Sequence, residues 1–534
     1  MTRLCTLLFV AAFLPAVALA QENSSSTPAP RSCESLTKLT LPHAKVIMAQ
    51  TVAAGEFSQE PLYKAVPAFC RVAIESAPTA DSDIKIEVWL PLSGWNGKFQ
   101  GQGNGGFAGA IGYAGMAVSV IKGFATAGTD TGHIASMADA RWALGHPEKI
   151  ADFGYRAVHE MTESAKAAIQ AFYGSAPHYS YFASCSDGGR EALMEAQRYP
   201  DDYNGILAGA PANFWTHLLT DALWNAQALA LDAASYIPST KLPAIAQAVN
   251  DACDKQDGVA DGILNDPRQC RFDPSVLLCK RDDSDSCLTA PQITALKKLY
   301  AGANDSLGHS LFPGYLPGAE TGEGGWAPWI TGRAAGASLL FQFNNGFFAD
   351  MVYSQADWNF KDAKIDNAVK AADEKLASVL NSTDPDLSAF RSHGGKLIIY
   401  HGWNDPAIPP LSTVNYYESV VKTMGSHDVA SFSRLYMMPG IQHCGGGPGP
   451  APFGSLMRPN VQSNDAQHNF LLALQAWVET GHAPGKIIAT KFTDDDQLKP
   501  VQMTRPLCPY PAAAQYKGQG DTNDAANFFC AAPK

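Results

Sequence analysis

The stretch Tyr179-Ser180-Tyr181-Phe182-Ala183-Ser184-Cys185-Ser186-Asp187-Gly188-Gly189-Arg190-Glu191 decides the fold of this chain. An apolar run rich in aromatic residues stops at Cys185, and a helix-forming run over residues 190–199 follows shortly after it. Apolar runs of this length are typical of buried strands, and glycines between a strand and a helix permit a tight turn. The stretch therefore predicts a strand, a turn with Ser186 at its tip, and a helix.

A strand–turn–helix unit with a serine at the turn is the arrangement in which an α/β-hydrolase presents its nucleophile. The usual signature is G-x-S-x-G, whereas residues 184–188 read Ser-Cys-Ser-Asp-Gly, so another small residue replaces the first glycine. The alternative is an ordinary turn between a strand and a helix. The choice depends on whether an aspartate and then a histidine follow downstream in that order.

The composition is that of a globular protein. The chain has 534 residues, of which 46% are hydrophobic and 17% are charged. This length allows one large domain with an insertion, or two to three domains. The formal net charge is −12, and the sequence has no basic tract. Because binding to a phosphate backbone needs clustered Lys and Arg, we expect no nucleic-acid partner.

The N-terminus has the pattern of a signal peptide over residues 1–20. Arg3 precedes an apolar run over residues 4–17, and Ala18-Leu19-Ala20 fits an A-x-A cleavage site. The run is shorter than the roughly 20 apolar residues that a membrane span needs, and a membrane anchor is the alternative. We expect a secreted or periplasmic protein without a membrane partner, beginning with a flexible segment over residues 21–32 that is rich in Ser, Thr and Pro.

The cysteines agree with export. Removal of the signal peptide leaves ten of the eleven, and an even number in an exported chain suggests five disulfides, although sequence alone does not fix the pairing. Proximity in sequence suggests four pairs and leaves Cys185 and Cys444 for each other. The four local pairs are Cys33–Cys70, Cys253–Cys270, Cys279–Cys287 and Cys508–Cys530. A zinc site is the alternative, but C-x-x-C spacing is missing.

Predicted strands alternate with helical stretches along much of the chain. The strands cover residues 84–90, 123–130, 179–185, 204–211, 395–405 and 432–438. This alternation predicts an α/β-hydrolase fold, with a mostly parallel central sheet and helices on both faces. The pattern stops between the fourth and fifth strands, which predicts a large inserted lid domain over residues 213–391. The two parts of the core would then be residues 33–212 and 392–534.

A glycine-rich loop lies in the first part of the core, with the sequence Gly101-Gln102-Gly103-Asn104-Gly105-Gly106-Phe107-Ala108-Gly109. Glycines let a backbone approach a ligand closely with its amides exposed. The Lys-Ser/Thr of a P-loop is missing, and so is the spacing of a dinucleotide site. We interpret the segment as the loop that supplies an oxyanion-hole amide in hydrolases, with a flexible turn as the alternative.

Ser186, Asp405 and His443 occur in the required order, and each lies at the carboxyl end of a predicted strand. A serine hydroxyl is a weak nucleophile, so His443 would accept its proton while Asp405 holds the imidazole in the required tautomer. The negative oxygen of the tetrahedral intermediate needs preorganised donors. The backbone N–H groups of Asp187 and Asn104 are the expected ones.

Other trios are open on sequence grounds, including one with Asp130 and His133. Two observations favour the chosen trio. Each of its members ends a predicted strand, and Cys185 and Cys444 lie directly beside the nucleophile and the base. A disulfide between these cysteines would fasten the two loops together next to the reacting atoms.

The chain resembles the tannase and feruloyl esterase family of α/β-hydrolases, whose CS-D-HC signature is matched by Cys185-Ser186, Asp405 and His443-Cys444. The resemblance covers nearly the whole mature chain and is strongest in residues 185–191, 203–211 and 504–511. The five proposed disulfides are similar to those of the family. The resemblance implies a serine esterase with a Ser-His-Asp triad, whose lid binds an aromatic acyl group.

The resemblance also implies a calcium ion in the lid, where the matching run is residues 254–263. Calcium prefers six to eight oxygen ligands, which carboxylates and backbone carbonyls supply. The candidate ligands are the carboxylates of Asp254, Asp257 and Asp261 and the backbone carbonyls of Val259 and Ile263. The spacing differs from that of an EF-hand, and a solvated acidic turn is the alternative. We expect the ion to hold the lid, and we expect no organic cofactor.

We predict a secreted serine carboxylesterase of the feruloyl esterase type, which hydrolyses esters of hydroxylated aromatic acids through an acyl-enzyme. Its substrate would be a small aromatic ester, free or attached to a plant polysaccharide or polyphenol. Trp326, Trp329 and Phe347 are the candidate ring-binding residues. Residues 339–348 lack an arginine that would bind the carboxylate of a terephthalate mono-ester, which favours a neutral acyl group.

Several alternatives stay open at the level of sequence. They are a tannase acting on galloyl esters, a mono-hydroxyethyl terephthalate hydrolase, a peptidase, and a binding protein that keeps the hydrolase fold without turnover. The sequence carries no signal for the oligomeric state.

Overall fold

The computed structural model describes residues 1–2, 31–451, 463 and 465–532. The predicted signal peptide and the predicted flexible segment fall almost wholly on residues 3–30, outside this part of the chain. Of the helices described, none combines the length and the apolar character that crossing a bilayer would need.

Within the described residues, ten strands form one sheet in the order β1-β2-β3-β4-β6-β5-β7-β8-β9-β10. The six strands from β6 to β10 in this order run parallel, and β1 to β4 extend one edge with antiparallel pairs. The strands are β1 (Thr40–Leu41), β2 (Ala44–Val52), β3 (Phe69–Ser76), β4 (Ile84–Pro91), β5 (Lys98–Gln102), β6 (Ala125–Thr129), β7 (Tyr179–Cys185), β8 (Gly205–Gly209), β9 (Lys396–Gly402) and β10 (Ser433–Met438). Two small antiparallel pairs follow, β11 (Ile487–Phe492) with β12 (Val501–Leu507) and β13 (Ala513–Tyr516) with β14 (Phe528–Ala531).

The helices lie between and around these strands. They are α1 (Pro61–Lys64), α2 (Tyr113–Ile121), α3 (Pro147–Ala151), α4 (Ala157–Tyr173), α5 (Asp187–Arg198), α6 (Trp215–Ala230), α7 (Leu242–Cys253), α8 (Ala290–Ala301), α9 (Leu339–Gly346), α10 (Ile365–Leu380), α11 (Ser388–Ser392), α12 (Leu411–Met424), α13 (Ser426–Phe432) and α14 (Phe470–Thr480).

The sheet is covered on both faces, because its central strands are mostly apolar and are buried at nearly every position. On β9, Leu397 and Ile399 pack into the core formed with α4, α5 and α12. The intervening Ile398 and Tyr400 pack on the opposite face against α14. Continuous apolar runs are typical of strands buried on both sides in parallel sheets. The predicted fold class, a mostly parallel sheet with helices on both faces, is confirmed.

The long connection from β8 to β9 corresponds to the predicted lid. It contains α6 to α11 and adds no strand to the described part of the sheet. Most of its apolar side chains pack into a separate core, whose large members include Trp326, Phe347 and Phe348. That core also contains Phe107, Phe153 and Ile408 from outside the connection, so the connection packs onto the rest of the chain through a shared apolar core. The domain limits 33–212, 213–391 and 392–534 stay a prediction.

Five disulfides are present, and they are the five pairs that proximity in sequence suggested. They are Cys33–Cys70, Cys185–Cys444, Cys253–Cys270, Cys279–Cys287 and Cys508–Cys530. Four of them close local loops, while Cys185–Cys444 joins residues 259 positions apart in sequence. This long-range bond links the end of β7 to the segment that follows β10.

Candidate active site

Ser186 occupies a sharp turn between β7 and α5. Its backbone has φ 69° and ψ −125°, a conformation that side-chain-bearing residues rarely adopt and that neighbouring contacts must enforce. The N–H of Ser186 donates to the carbonyl of Gly209 at 3.0 Å, and its carbonyl accepts from the N–H groups of Gly189 and Arg190. These bonds fix the turn between β8 and the first turn of α5, so the Ser186 side chain is held at the carboxyl edge of the sheet.

The missing first glycine of the usual signature has a structural explanation. A Cβ atom placed on Gly188 would lie 1.8 Å from Ser184 Oγ, and one placed on Gly103 would lie 2.6 Å from the same atom. The Ser184 side chain thus occupies space that two facing glycines leave open. A small residue is tolerated at position 184 because Gly188 and Gly103 carry no side chain.

The structure brings the three predicted triad residues together. The hydroxyl of Ser186 lies 2.9 Å from His443 Nε2, and His443 Nδ1 lies 2.8 Å from Asp405 Oδ2. An ionised carboxylate can only accept hydrogen bonds, so Asp405 accepts one from the Nδ1–H of His443, and Nε2 is left free to accept the serine proton. The arrangement is that of a nucleophile, a base and an orienting carboxylate.

Asp405 is fully buried and heavily hydrogen-bonded. Its Oδ1 accepts from the N–H groups of Ala407 and Ile408, and its Oδ2 accepts from both His443 and His401. Burial by itself would raise the pKa of Asp405, but the charge on His443 and the hydrogen bonds from the two histidines outweigh it. The pKa of Asp405 therefore lies well below its usual range, and the carboxylate stays ionised.

The Cys185–Cys444 disulfide lies directly beside these groups. Its two Cα atoms are 6.0 Å apart, and Cys444 has a positive φ of 60° in the loop that carries His443. The bond covalently joins the residue before the nucleophile to the residue after the base. This limits the relative motion of Ser186 and His443.

The prediction that the N–H of Asn104 serves as an oxyanion donor is wrong. The N–H of Asn104 donates to Glu191 Oε2 at 2.8 Å and is therefore not available to a substrate oxygen. The next residue, Gly105, lines the same cavity, and among the described residues no acceptor is found for its N–H. The N–H of Asp187, at the first position of α5, likewise has no acceptor in the described part of the chain.

Asn104 stabilises the glycine-rich loop and does not act as the predicted donor. Its side-chain amide donates to the carbonyls of Ala110 and Thr129, and its own carbonyl accepts from the N–H of Gly188 at 2.9 Å. Sequence reasoning missed this because the acceptor, Glu191, is 87 residues away along the chain.

A cavity of about 440 Å³ opens onto Ser186. Its walls come from the glycine-rich loop, from α6 and α9 of the lid and from the loop after Asp405. The large apolar residues that line it are Met137, Trp215, Leu218, Leu219, Trp329, Leu340, Phe343 and Ile408. No Lys or Arg is found among the described residues of this lining. The cavity is within the size range of small-molecule sites and is mostly apolar.

Only one of the three predicted ring-binding residues lines this cavity. Trp329 does so, and its ring meets that of His443 edge-on with centroids 4.9 Å apart. Trp326 and Phe347 are fully buried in the lid core, so the prediction for these two is wrong. Aromatic side chains fill hydrophobic cores more often than they bind ligands. Sequence reasoning missed Trp215, which lines the cavity. Its position four residues after Pro211, just beyond the predicted strand over residues 204–211, was the available signal.

The rival trio does not form. Asp130 Oδ1 accepts from the N–H groups of Lys85 and Gly132, and His133 Nε2 lies 2.8 Å from the carbonyl of Phe107. Burial raises the pKa of Asp130 to about 6 and lowers that of His133 to about 4. These two side chains stabilise the loop after β6.

A cluster of buried charges lies beneath the nucleophile turn. The Arg190 guanidinium is fully buried and donates to Asp187 Oδ1 at 2.6 Å and to the carbonyls of Phe153 and Gly154. Burial raises the pKa of Asp187 despite this ion pair. Burial, with the charge of Asp187 second, raises the pKa of Glu191 to about 8.

The predicted calcium run forms a loop in which three carboxylates are half-buried and bond to nearby backbone N–H groups. Oδ1 atoms of Asp254, Asp257 and Asp261 accept from the N–H groups of Gly262, Val259 and Ile263, respectively. Burial, aided by repulsion from the other two carboxylates, raises the pKa of Asp257 to about 6. Asp261 Oδ2 pairs with the guanidinium of Arg505. Among the described residues the oxygens of these three carboxylates do not all lie within 4.8 Å of one another, so the calcium ion stays a prediction.

Another group of metal-binding residue types does not fit a metal. Cys279, Asp283 and Cys287 lie close together, but the two cysteines are bonded to each other. Their sulfurs are therefore not thiolates, which are the form that binds metals.

The chain is similar to known esterases over most of its length. The family model described as tannase and feruloyl esterase matches residues 70–531. An uncharacterized esterase of Xanthomonas campestris pv. campestris is 43% identical, covering 95% of this chain and 92% of the relative. The mono(2-hydroxyethyl) terephthalate hydrolase of Piscinibacter sakaiensis is 34% identical, covering 88% and 86%. The crystal structure of feruloyl esterase B from Aspergillus oryzae is 30% identical, with a TM-score of 0.84 and coverage of 93% of this chain and 99% of that one.

The raised pKa of Glu191 predicts a pH-dependent stability. Between about pH 4.5 and 8 the folded protein keeps a proton that the unfolded chain releases, so the free energy of unfolding falls as pH rises through this window. Gln is isosteric, uncharged and still accepts from Asn104. We expect Glu191→Gln to melt close to wild type at pH 4.5 and about a degree or more higher at pH 8, for a gain in stability on the order of 1 kcal/mol or more.

The measurement is the melting temperature across this pH range with the disulfides intact. Glu323→Gln, at an exposed lid position, is the control and should follow the wild-type curve. A difference between Glu191→Gln and wild type that does not grow with pH would contradict the assignment.

Proposed function

The chain belongs to the tannase and feruloyl esterase family, and on that premise we propose that it is a serine carboxylesterase for esters of neutral, hydroxylated aromatic acids. One observation carries the proposal. Ser186, His443 and Asp405 form a continuous hydrogen-bonded chain at the wall of a mostly apolar cavity of about 440 Å³, which is large enough for an aromatic ester. The family relationship supports ester hydrolysis, and the cavity lining supports the acyl selectivity.

Acylation begins when Ser186 Oγ attacks the ester carbonyl carbon and its proton passes to His443 Nε2. The new C–O bond places a negative charge on the former carbonyl oxygen. The N–H groups of Asp187 and Gly105 are the donors we assign to that oxygen, and each such donor is worth roughly 3 kcal/mol of barrier. His443 then gives its proton to the leaving alcohol as the ester C–O bond breaks, and the acyl group stays on Ser186.

Deacylation repeats these steps with water. His443 Nε2 takes a proton from the water, whose oxygen attacks the acyl carbon, and returns it to Ser186 Oγ as the acyl–serine bond breaks. Asp405 stays ionised throughout and stabilises the imidazolium that forms twice per turnover. The products are the aromatic acid and the alcohol.

The cavity favours a neutral acyl group. Trp215, Trp329 and Phe343 offer aromatic contact area, and α6 and α9 supply further aliphatic side chains. A second carboxylate on the acyl group would be buried without a cation, because no Lys or Arg lies among the described lining residues. Burying an unpaired charge is costly. A feruloyl or galloyl ester therefore suits this cavity better than a terephthalate mono-ester.

Other parts of the proposal rest on sequence patterns and local chemistry. The pattern of residues 1–20 and the five disulfides support a secreted or periplasmic protein. Asp254, Asp257 and Asp261, with the carbonyls of Val259 and Ile263, would hold a calcium ion that supplies positive charge to crowded carboxylates and stiffens the lid. The substrate, free or attached to a plant polysaccharide or polyphenol, is also part of the proposal.

Ser186→Ala is expected to abolish ester turnover and covalent labelling by a fluorophosphonate, because no other hydroxyl is hydrogen-bonded to His443 Nε2 in the described residues. The measurement is intact-protein mass with and without the reagent, beside hydrolysis of a p-nitrophenyl ester. Ser184→Ala, whose hydroxyl lies outside the triad, is the matched control and should still be labelled. Labelling of Ser186→Ala would refute the assignment of the nucleophile. An unlabelled wild-type protein would favour the silent binding protein.

A pair of substrates tests the acyl selectivity. Mono-hydroxyethyl terephthalate and its methyl ester differ only by the free carboxylate, so the ratio of their kcat/KM values isolates the burial of that charge. We expect the neutral diester to react at least about 10-fold faster, and methyl ferulate and methyl gallate to be substrates. Equal or faster hydrolysis of the mono-ester would show that the carboxylate finds a cation and would favour the terephthalate hydrolase.

Calcium is expected to raise the melting temperature of chelated, desalted protein. An ion that binds only the folded state at 100 times its Kd stabilises it by about 2.7 kcal/mol. Asp257→Asn removes one ligand charge at constant size and should weaken this response. Asp282→Asn, at an exposed lid position, should keep it. A wild-type melting temperature that calcium leaves unchanged would remove the ion from the account.

A further inference from the structure

We propose that His401 is a positioning residue of the triad, which donates a second imidazole hydrogen bond to Asp405 and thereby sets the basicity of His443. His401 lies on β9 and is fully buried. Its Nε2 lies 3.1 Å from Asp405 Oδ2, the same oxygen that His443 contacts at 2.8 Å. Two imidazoles therefore share one carboxylate oxygen. The proposal rests on the proposed function, because it concerns the same reaction.

The partners of His401 determine where its proton lies. Nε2 faces two acceptors, Asp405 Oδ2 and the carbonyl of Ile408, each at 3.1 Å. A ring nitrogen with only acceptors around it carries a hydrogen. Nε2 is thus an N–H donor, shared between the carboxylate and the carbonyl.

The other ring nitrogen favours a neutral ring. Nδ1 lies 2.7 Å from the hydroxyl of Thr413, which is fully buried and has no other hydrogen-bond partner in the described part of the chain. If the hydroxyl donates to Nδ1, both groups are satisfied. If Nδ1 were protonated instead, the hydroxyl hydrogen would lack an acceptor and a charge would be buried, both of which cost free energy. Thr413 therefore holds His401 as the neutral Nε2–H tautomer.

This tautomer has a consequence for the base. The His401 N–H withdraws negative charge from Asp405 Oδ2 and, together with the Ala407 and Ile408 amides, fixes the plane of the carboxylate. A carboxylate with fewer donors is more basic and attracts the His443 imidazolium more strongly. Loss of the His401 N–H should therefore raise the pH at which His443 becomes a free base, and should also let Asp405 rotate away from the orientation that His443 needs.

Few other ionisable groups among the described residues face the hydrogen-bonded series of His401, Asp405, His443 and Ser186. From the lid, the buried phenol of Tyr315 approaches Asp405, and burial keeps its pKa far above the assay range. From α5, Asp187 is paired with Arg190 beneath Ser186. His401 itself is outside the cavity lining, so it does not touch the substrate. A change at position 401 should act on kcat and on the pH profile and leave KM nearly unchanged.

Two matched variants test the donor. His401→Gln keeps an N–H donor near the position of Nε2, and His401→Met has a similar length without one. The assay is the pH dependence of kcat/KM with a p-nitrophenyl ester, which reports the triad independently of acyl selectivity. We expect His401→Met to shift the acid limb upward by about half a unit to one unit and to lose on the order of 10-fold in kcat at pH 7. His401→Gln should keep most of the activity and a profile close to wild type.

A second pair of variants covers the case in which position 401 does not tolerate change. Thr413→Val removes the hydroxyl that holds the tautomer, and Thr413→Ser keeps it. We expect Thr413→Val to shift the acid limb in the same direction, and Thr413→Ser to match wild type. Coinciding pH profiles of His401→Met and His401→Gln would show that His401 acts only as a core residue. If the variants at position 401 do not fold, coinciding profiles of Thr413→Val and Thr413→Ser would show the same. If the ferulate assignment failed, the p-nitrophenyl assay would still decide this question.

Discussion

The disulfide between Cys185 and Cys444 is the constraint on which the site depends. It joins two segments that the chain brings together only through the parallel sheet, 259 residues apart. Ser186, next to it, has a strained backbone that hydrogen bonds to β8 and α5 enforce. His443, on the other side, lies in the segment after β10, outside any helix or strand. The covalent bond gives that loop the rigidity that the strand and helix already give the nucleophile.

Buried polar groups beneath the Ser186 turn also hold the segments of the site in place. Arg190 links Asp187 to the helical segment that contains Phe153 and Gly154, while Glu191 holds the glycine-rich loop through the N–H of Asn104. Each bond links one side of the site to α5, which begins at the nucleophile. The positions of the two N–H groups assigned to the oxyanion therefore depend on side chains that do not touch the substrate. Buried networks of this kind are sensitive to the loss of any one member.

Much of this was predictable from sequence, for a physical reason. Strand ends marked by small or polar residues located Ser186, Asp405 and His443, because parallel strands bring their carboxyl ends to one edge. Cysteine parity and proximity predicted all five disulfides. Sequence could not show that the Asn104 N–H is used by Glu191, or that Trp326 and Phe347 point into the lid core. Such features depend on side-chain packing across long sequence separations, for which a single chain offers no periodic signal.

The proposed mechanism requires that Ser186 carry an aromatic acyl group during turnover. Acid quenching of the enzyme with methyl ferulate on the millisecond scale, followed by peptide mass mapping, tests it most directly. The account predicts a feruloyl group on the peptide that contains Ser186, accumulating with a burst of released methanol. A feruloyl group on another residue, or a methanol burst with no acylated peptide, would contradict it.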